Sequence, residues 1–210
     1  MNKRLIGWSA GVAGVLGVGA MIAMGPVGAT ATPAAAVAAA ASASAPASFE
    51  VDPVHSFIVF KIKHLGASTT WGRFNNPKGT LSWDGENSTI EVSAKVADID
   101  TANADRDKHL RSGDFFGEKE FPNVTFKSKK WKKTGEGKYD VTGDLTMHGV
   151  TKEITTQATE GGTGKNMQGK DVIGLDFSFT IKRSEFGIKT YPGALGEDVT
   201  VMVAIEGVKK

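Results

Sequence analysis

The chain has 210 residues, a formal charge of +2 and no cysteine. Lys3 and Arg4 are the only charges before Glu50, so beyond them 25 − 2 = 23 basic residues meet 23 acidic ones. That even balance argues against binding to a phosphate backbone, which needs a basic footprint, and the missing cysteines exclude disulfides, thiol catalysis and lipid attachment through a cysteine.

The first 31 residues read as a secretory signal. Lys3 and Arg4 form a charged start, Leu5 to Met24 is uncharged, and Ala29-Thr30-Ala31 offers a small-residue cleavage site. The apolar run is about long enough to span a bilayer, but its five glycines make it a mediocre anchor. Cleavage is therefore expected, leaving no stable membrane span and a periplasmic or secreted protein. Residues 32–48 are nearly all Ala, Ser, Pro and Thr and read as a leader or linker. Residues 49–210 are long enough for one domain with its own core.

Within that domain apolar residues recur at every second position, the pattern of strands with one buried face. Ile58, Phe60 and Ile62 alternate with Val59, Lys61 and Lys63, and Ile90, Val92, Ala94 and Val96 continue the pattern. Val124 and Phe126 follow, then Tyr139, Val141, Leu145 and Met147. The clearest run is Ile173, Leu175, Phe177, Phe179 and Ile181, and Val199 to Ile205 closes the chain in the same way. Asp84-Gly85, Gly135-Glu136-Gly137 and His148-Gly149 supply tight-turn chemistry between runs. About eight mostly antiparallel strands with little helix predict an all-β domain, either an up-and-down barrel or a two-sheet sandwich, and the barrel is preferred.

One segment interrupts the alternation. Asp100 to Pro122 is long for a connection, and its middle predicts a short helical lid around 103–113. Asn103 is its candidate N-cap, Asp107 and Arg111 can pair across one turn, and Gly113 is a natural stop. Arg106, His109 and Leu110 then share a face, with Phe115 and Phe116 directly after.

Arg106, Asp107 and His109 resemble acid–base equipment. A capped, salt-bridged helix, a polar site for a ligand head and a catalytic cluster acting on a lipid-linked phosphate all remain open. No Gly-x-Ser-x-Gly elbow or paired acidic motif supports catalysis, and His55, His64, His109 and His148 lack metal-ligand spacing. Arg183 shares the parity of Phe177, Phe179 and Ile181. It therefore faces inward and needs Asp105, Asp107, Glu185 or a ligand anion as partner, unless it snorkels out of the barrel end.

Periodicity does not separate a filled barrel from a hollow one. If the barrel is hollow, the candidate lining is Phe60, Ile62, Phe74, Phe115, Phe116, Phe126, Leu145, Met147, Leu175, Phe177, Phe179 and Ile181. The candidate polar mouth is His64, Arg106, His109 and Arg183. Strand-edge pairing offers a route to a homodimer that nothing in the sequence demands.

Six motifs occur in a telling order: HSFIVFKIKHLG (His55–Gly66), GRF (Gly72–Phe74), NADRDKHLRSGDFF (Asn103–Phe116), FPNVTFKS (Phe121–Ser128), GDLTMHGVTKEI (Gly143–Ile154) and KRSEFGI (Lys182–Ile188). Together they resemble the YceI-like family of exported bacterial proteins. The resemblance implies an extended eight-stranded antiparallel lipocalin-like barrel. It also implies a long isoprenoid chain, such as a prenyl phosphate or quinone tail, running through the interior with its head near one opening. Such a protein would carry, store or sequester the lipid. No catalytic motif transfers with the resemblance, and no cofactor is implied beyond that non-covalently held lipid.

Overall fold

A computed structural model describes residues 46–210. The expected signal peptide and all but the last three leader residues lie outside these.

Eleven strand segments make eight staves of one closed antiparallel barrel. β1 (Ala47–Val51) and β2 (Phe57–His64) form the first, β3 (Ser68–Phe74) and β4 (Lys78–Trp83) the second, and β5 (Thr89–Lys95) with β6 (Ile99–Asp100) the third. β7 (Asn123–Gly135), β8 (Lys138–Met147), β9 (Val150–Lys165), β10 (Asp171–Lys182) and β11 (Leu195–Lys209) are continuous. β11 closes the ring: one flank pairs with β10, the other with β1 (Phe49 opposite Lys209) and β2 (Ile58 opposite Val203). The sandwich alternative is thereby excluded. The first strand begins at Ala47, two residues inside the expected leader, because backbone pairing of Ala47 and Ser48 with Trp83 and Ser82 makes no demand on side chains.

The three broken staves are neighbours, and local chemistry explains each break. Pro53 and Pro77 have no N–H for a ladder, and a 3-10 turn at Val96–Asp98 interrupts the third stave. Beyond that turn the third and fourth staves part. Val96 still donates to the Pro122 carbonyl at 2.9 Å, but β6 pairs only with β3. The long excursion with α1 (Ala104–Arg111) leaves the ring at this gap. The Asn103 side chain accepts from the Arg106 N–H at 2.9 Å, as its cap position predicts.

The other two helix expectations are corrected. The helix ends at Ser112, whose hydroxyl donates to the His109 carbonyl at 2.7 Å, rather than on Gly113. Asp107 does not pair with Arg111; its carboxylate accepts from the N–H and hydroxyl of Thr101, while Arg111 turns to Glu118 at 3.7 Å.

The barrel is not uniformly filled. At the end bearing the Trp83–Thr89, Gly135–Lys138 and Lys165–Asp171 turns, Phe49, Leu81, Trp131, Tyr139, Val141, Ile173 and Leu175 pack into one core. There Trp83, Trp131 and Tyr139 meet edge to face with centroids 5.6–5.8 Å apart, a favourable aromatic geometry. The opposite end carries α1, the β2–β3 and β8–β9 turns and the segment between β10 and β11. There a second core of Phe115, Leu145, Met147, Phe186 and Ile188 lies to one side.

The break between β1 and β2 is braced outside the barrel by Asp52, whose carboxylate lies 2.8 Å from His55 Nδ1. This hydrogen bond lowers the Asp52 carboxyl below its ordinary 3.8 and raises the His55 imidazole above its ordinary 6.5. A lowered acid stabilises the fold above 3.8 and loses that contribution as pH falls through its folded value, whereas a raised base contributes below 6.5 and loses it as pH rises through its folded value. Denaturation midpoints measured across pH should therefore decline as pH climbs beyond 6.5. His55→Gln should abolish that particular decline.

Candidate functional site

Inward-facing side chains from nearly every stave enclose a hollow of about 170 Å3 between the aromatic floor and α1. Eleven of the twelve lining residues expected from the sequence border it: Phe60, Ile62, Phe74, Phe115, Phe116, Phe126, Leu145, Met147, Phe177, Phe179 and Ile181. Leu175 does not. It keeps the parity of Phe177 but lies one step deeper, 1% exposed within the floor. That floor bounds the interior at one end: Trp131 and its neighbours stop it partway. On β11 the lining runs from Val199 to Ile205, six residue steps, which corresponds to about 15 Å along a barrel axis at usual strand tilt. The β11 valines form an alternating run in the sequence, but nothing in that pattern ranks them beside the bulkier phenylalanines. Leu110 and Ile188 carry no such signal because they sit on a helix and a loop. Among the described residues, Thr125, Thr156 and Arg183 are the only lining residues that are not apolar.

A second hollow, about 260 Å3, lies at the mouth and is bordered by His64, Thr70, Thr101, Arg106, His109 and Tyr191. Three of the four expected polar residues thus come together. Phe60, Ile62, Leu110 and Phe115 border both hollows and so form the partition between them. Gly72 makes room for this partition: a Cβ there would lie 2.3 Å from Phe60 Cζ and 2.8 Å from Thr101 Cγ2. Behind it Phe60, Phe74 and Phe116 are in aromatic contact, with centroids 5.8 and 5.5 Å apart.

The mouth residues hold each other in place through few bonds. Arg106 donates from Nε to the Thr101 hydroxyl at 2.8 Å and from Nη2 to its carbonyl at 2.7 Å. Its Nη1 has no partner among the described residues. His109 Nε2 lies 3.0 Å from Asp114 Oδ2, and its ring stands edge-on to Phe115 and Tyr191. Arg106, Asp107 and His109 therefore have separate tasks: Asp107 is buried on Thr101, and the carboxylate that holds His109 is that of Asp114. His148, in the β8–β9 turn, contacts the Phe186 carbonyl at 3.0 Å and belongs to the scaffold.

Arg183 is the clear correction. It is buried, 4% exposed, and faces inward as its parity predicts. Yet none of the three expected carboxylates, Asp105, Asp107 and Glu185, binds it. Nε donates to the Gly196 carbonyl, Nη1 to those of Ile188 and Thr190, and Nη2 to that of Leu195, with the Glu197 carboxylate 3.4 Å from Nη2 as an ion pair. Four of its five N–H groups are thus hydrogen-bonded to backbone carbonyls, and the Glu197 carboxylate lies beside the guanidinium. Its work is to fold the 184–196 segment over the barrel end. Elsewhere, Asp52, His55 and Glu206 form the only histidine–carboxylate group of metal-holding spacing among the described residues, on the outer surface. At the floor, the buried Trp131 Nε1 has no hydrogen-bond partner.

A closed eight-stranded meander with one apolar hollow and one polar-rimmed mouth defines a small barrel of the lipocalin-like class. Residues 49–207 match the model of the YceI-like domain, and the chain belongs to that family. A UPF0312 protein of Pseudomonas putida is 41% identical over 169 residues, covering 78% of this chain and 88% of the relative. The crystal structure of the Campylobacter jejuni YceI protein is 35% identical with a TM-score of 0.64, covering 71% of this chain and 91% of that one. A polyisoprenoid binding domain from Saccharophagus degradans shares the fold at 16% identity and a TM-score of 0.62, covering 79% and 99% of the two chains. The family is not a known enzyme family.

Replacing Arg183 with leucine should cost about 3 kcal/mol in urea denaturation, since buried carbonyls lose charged donors. Arg183→Lys should recover only part of this, because one ammonium cannot span the same carbonyls. Unchanged stability with lost lipid uptake would instead return Arg183 to the ligand.

Proposed function

We propose that the protein binds a long apolar isoprenoid lipid of the prenyl phosphate or quinone type and carries, stores or sequesters it outside the cytoplasm, in the periplasm or as a secreted protein. The observation that carries this reading is the inner hollow, apolar but for Thr125, Thr156 and Arg183, opening on a mouth with Arg106, His64 and His109. An apolar pocket with a few convergent polar groups is the usual form of a small-molecule site. The fold shared with the polyisoprenoid binding domain of Saccharophagus degradans supports the same class of cargo.

The geometry sets the mode of binding. At about 170 Å3 the inner hollow is close to the size of a cavity that admits one aromatic ring. A prenyl chain therefore enters by swinging the partition of Phe60, Ile62, Leu110 and Phe115 aside and joining the two hollows. Burial of apolar surface supplies the affinity. The head group stays at the mouth, where the free Nη1 of Arg106 is placed to meet a phosphate or a carbonyl.

Filling the hollow tests this directly. Ala94→Phe and Val203→Phe, on separate walls, should each abolish uptake of a polyprenol measured by native mass spectrometry. The melting temperature should not fall, because added side-chain atoms occupy existing space. A folded variant that still takes up the prenol overturns the reading.

A further inference from the structure

Two turns at the mouth end hold large apolar side chains out into solvent. Leu65, at the tip between β2 and β3, is 65% exposed, and Tyr191, before β11, is 53% exposed. Both have left-handed backbones, with φ of 53° and 54°. That conformation is unfavourable for side chains of this size; Leu65 does not recover the cost by burial, and Tyr191 rests one edge on His109 and Phe115 while half of its surface stays exposed. The turns are joined, since the Leu65 N–H donates to the Ala194 carbonyl at 2.7 Å and the Ala194 N–H donates to the Tyr191 carbonyl at 3.2 Å. Leu65 and Tyr191 thus project from one continuous piece of rim.

The unpaired charges beside this rim are mostly basic. Lys61 and Lys63 lie just below Leu65, Lys189 lies two residues before Tyr191, and Arg106 faces the mouth; none forms an ion pair with a described residue. The nearby acids Glu118, Glu197 and Asp198 are already paired with Arg111, Arg183 and Lys182, while Asp114 is hydrogen-bonded to the His109 ring and Asp105 has no cationic partner among the described residues. Lys61 also lies 5.4 Å above the ring of Trp71, itself 51% exposed on the outer face of the same hairpin.

We infer that this rim docks on an anionic phospholipid bilayer, with Leu65 and Tyr191 entering the interface and the lysines meeting the head groups. Protruding apolar tips backed by lysine stems suit a surface that can be penetrated, with aromatic rings at head-group level and ammonium groups reaching the phosphates. Docked in this way, the mouth opens onto the membrane, so the proposal rests on the lipid-binding reading and supplies its route of loading.

The test is co-sedimentation with vesicles of phosphatidylcholine alone and with vesicles in which phosphatidylglycerol replaces about a third of it. The protein should pellet with the anionic vesicles and release at high salt. Leu65→Gly should weaken that binding about tenfold through lost apolar contact, while the melting temperature holds or rises because glycine suits the left-handed turn. Leu65 lines neither hollow, so the same variant should take up a detergent-solubilised polyprenol as the wild type does.

Failure of the wild type to bind anionic vesicles, equal binding to phosphatidylcholine alone, or an unaffected Leu65→Gly variant would each overturn the docking. So would self-association in solution that Leu65→Gly abolishes, since the rim would then serve a second copy. Vesicle binding without any polyprenol uptake would uphold the docking and overturn the cargo reading.

Discussion

Everything in the molecule follows from β11 being hydrogen-bonded along both flanks. Its ladders to β10 on one side and to β1 and β2 on the other convert an antiparallel meander into a ring. Once the ring is closed, one face of every stave points into a space of limited width. What that space becomes is then decided by side-chain size. Where Phe49, Trp83, Trp131 and Tyr139 meet, the space is filled. Where β11 contributes valines and β5 contributes Ala94, it is left hollow. One closed sheet therefore supplies a filled floor and a hollow chamber without any change of architecture.

The mouth depends on the same closure failing locally. The third and fourth staves separate beyond Val96, and the chain between β6 and β7 is free to carry a helix whose Leu110, with the following Phe115 and Phe116, faces the chamber. On the opposite rim, Arg183 gathers the carbonyls of Ile188, Thr190, Leu195 and Gly196 around one guanidinium. One side of the opening is thus a short helix held mainly by its cap and Thr101, and the other is a loop pinned by a buried cation. That asymmetry places the helix over the chamber and the Arg183-centred loop at its edge.

Much of this is legible in the sequence, for identifiable reasons. Alternation at every second residue reports which face a side chain occupies, so the inward set from Phe60 to Ile181 follows from residue parity. Alternation does not report depth. Leu175 and Phe177 have the same parity, yet one is floor and the other is wall, because depth depends on which residues of neighbouring staves lie level with them. Arg183 is illegible in a different way. Its inward direction follows from parity, but its partners are mostly backbone carbonyls, which have no signature in the sequence. The helix start is legible because Asn103 caps through its own side chain. The stop is not, because the Ser112 hydroxyl and a bond from Glu118 to the Arg111 carbonyl end the helix before Gly113 is needed.

The central claim is that the hollow end of this barrel takes up an apolar isoprenoid chain. The most direct measurement is the intact mass of the protein isolated from its native source without detergent, followed by the mass of whatever organic solvent extracts from it. The account predicts a non-covalent adduct whose extracted component is a prenyl chain with a small polar head. Protein that carries no adduct, and that also takes up nothing from a polyprenol and quinone extract, would contradict it.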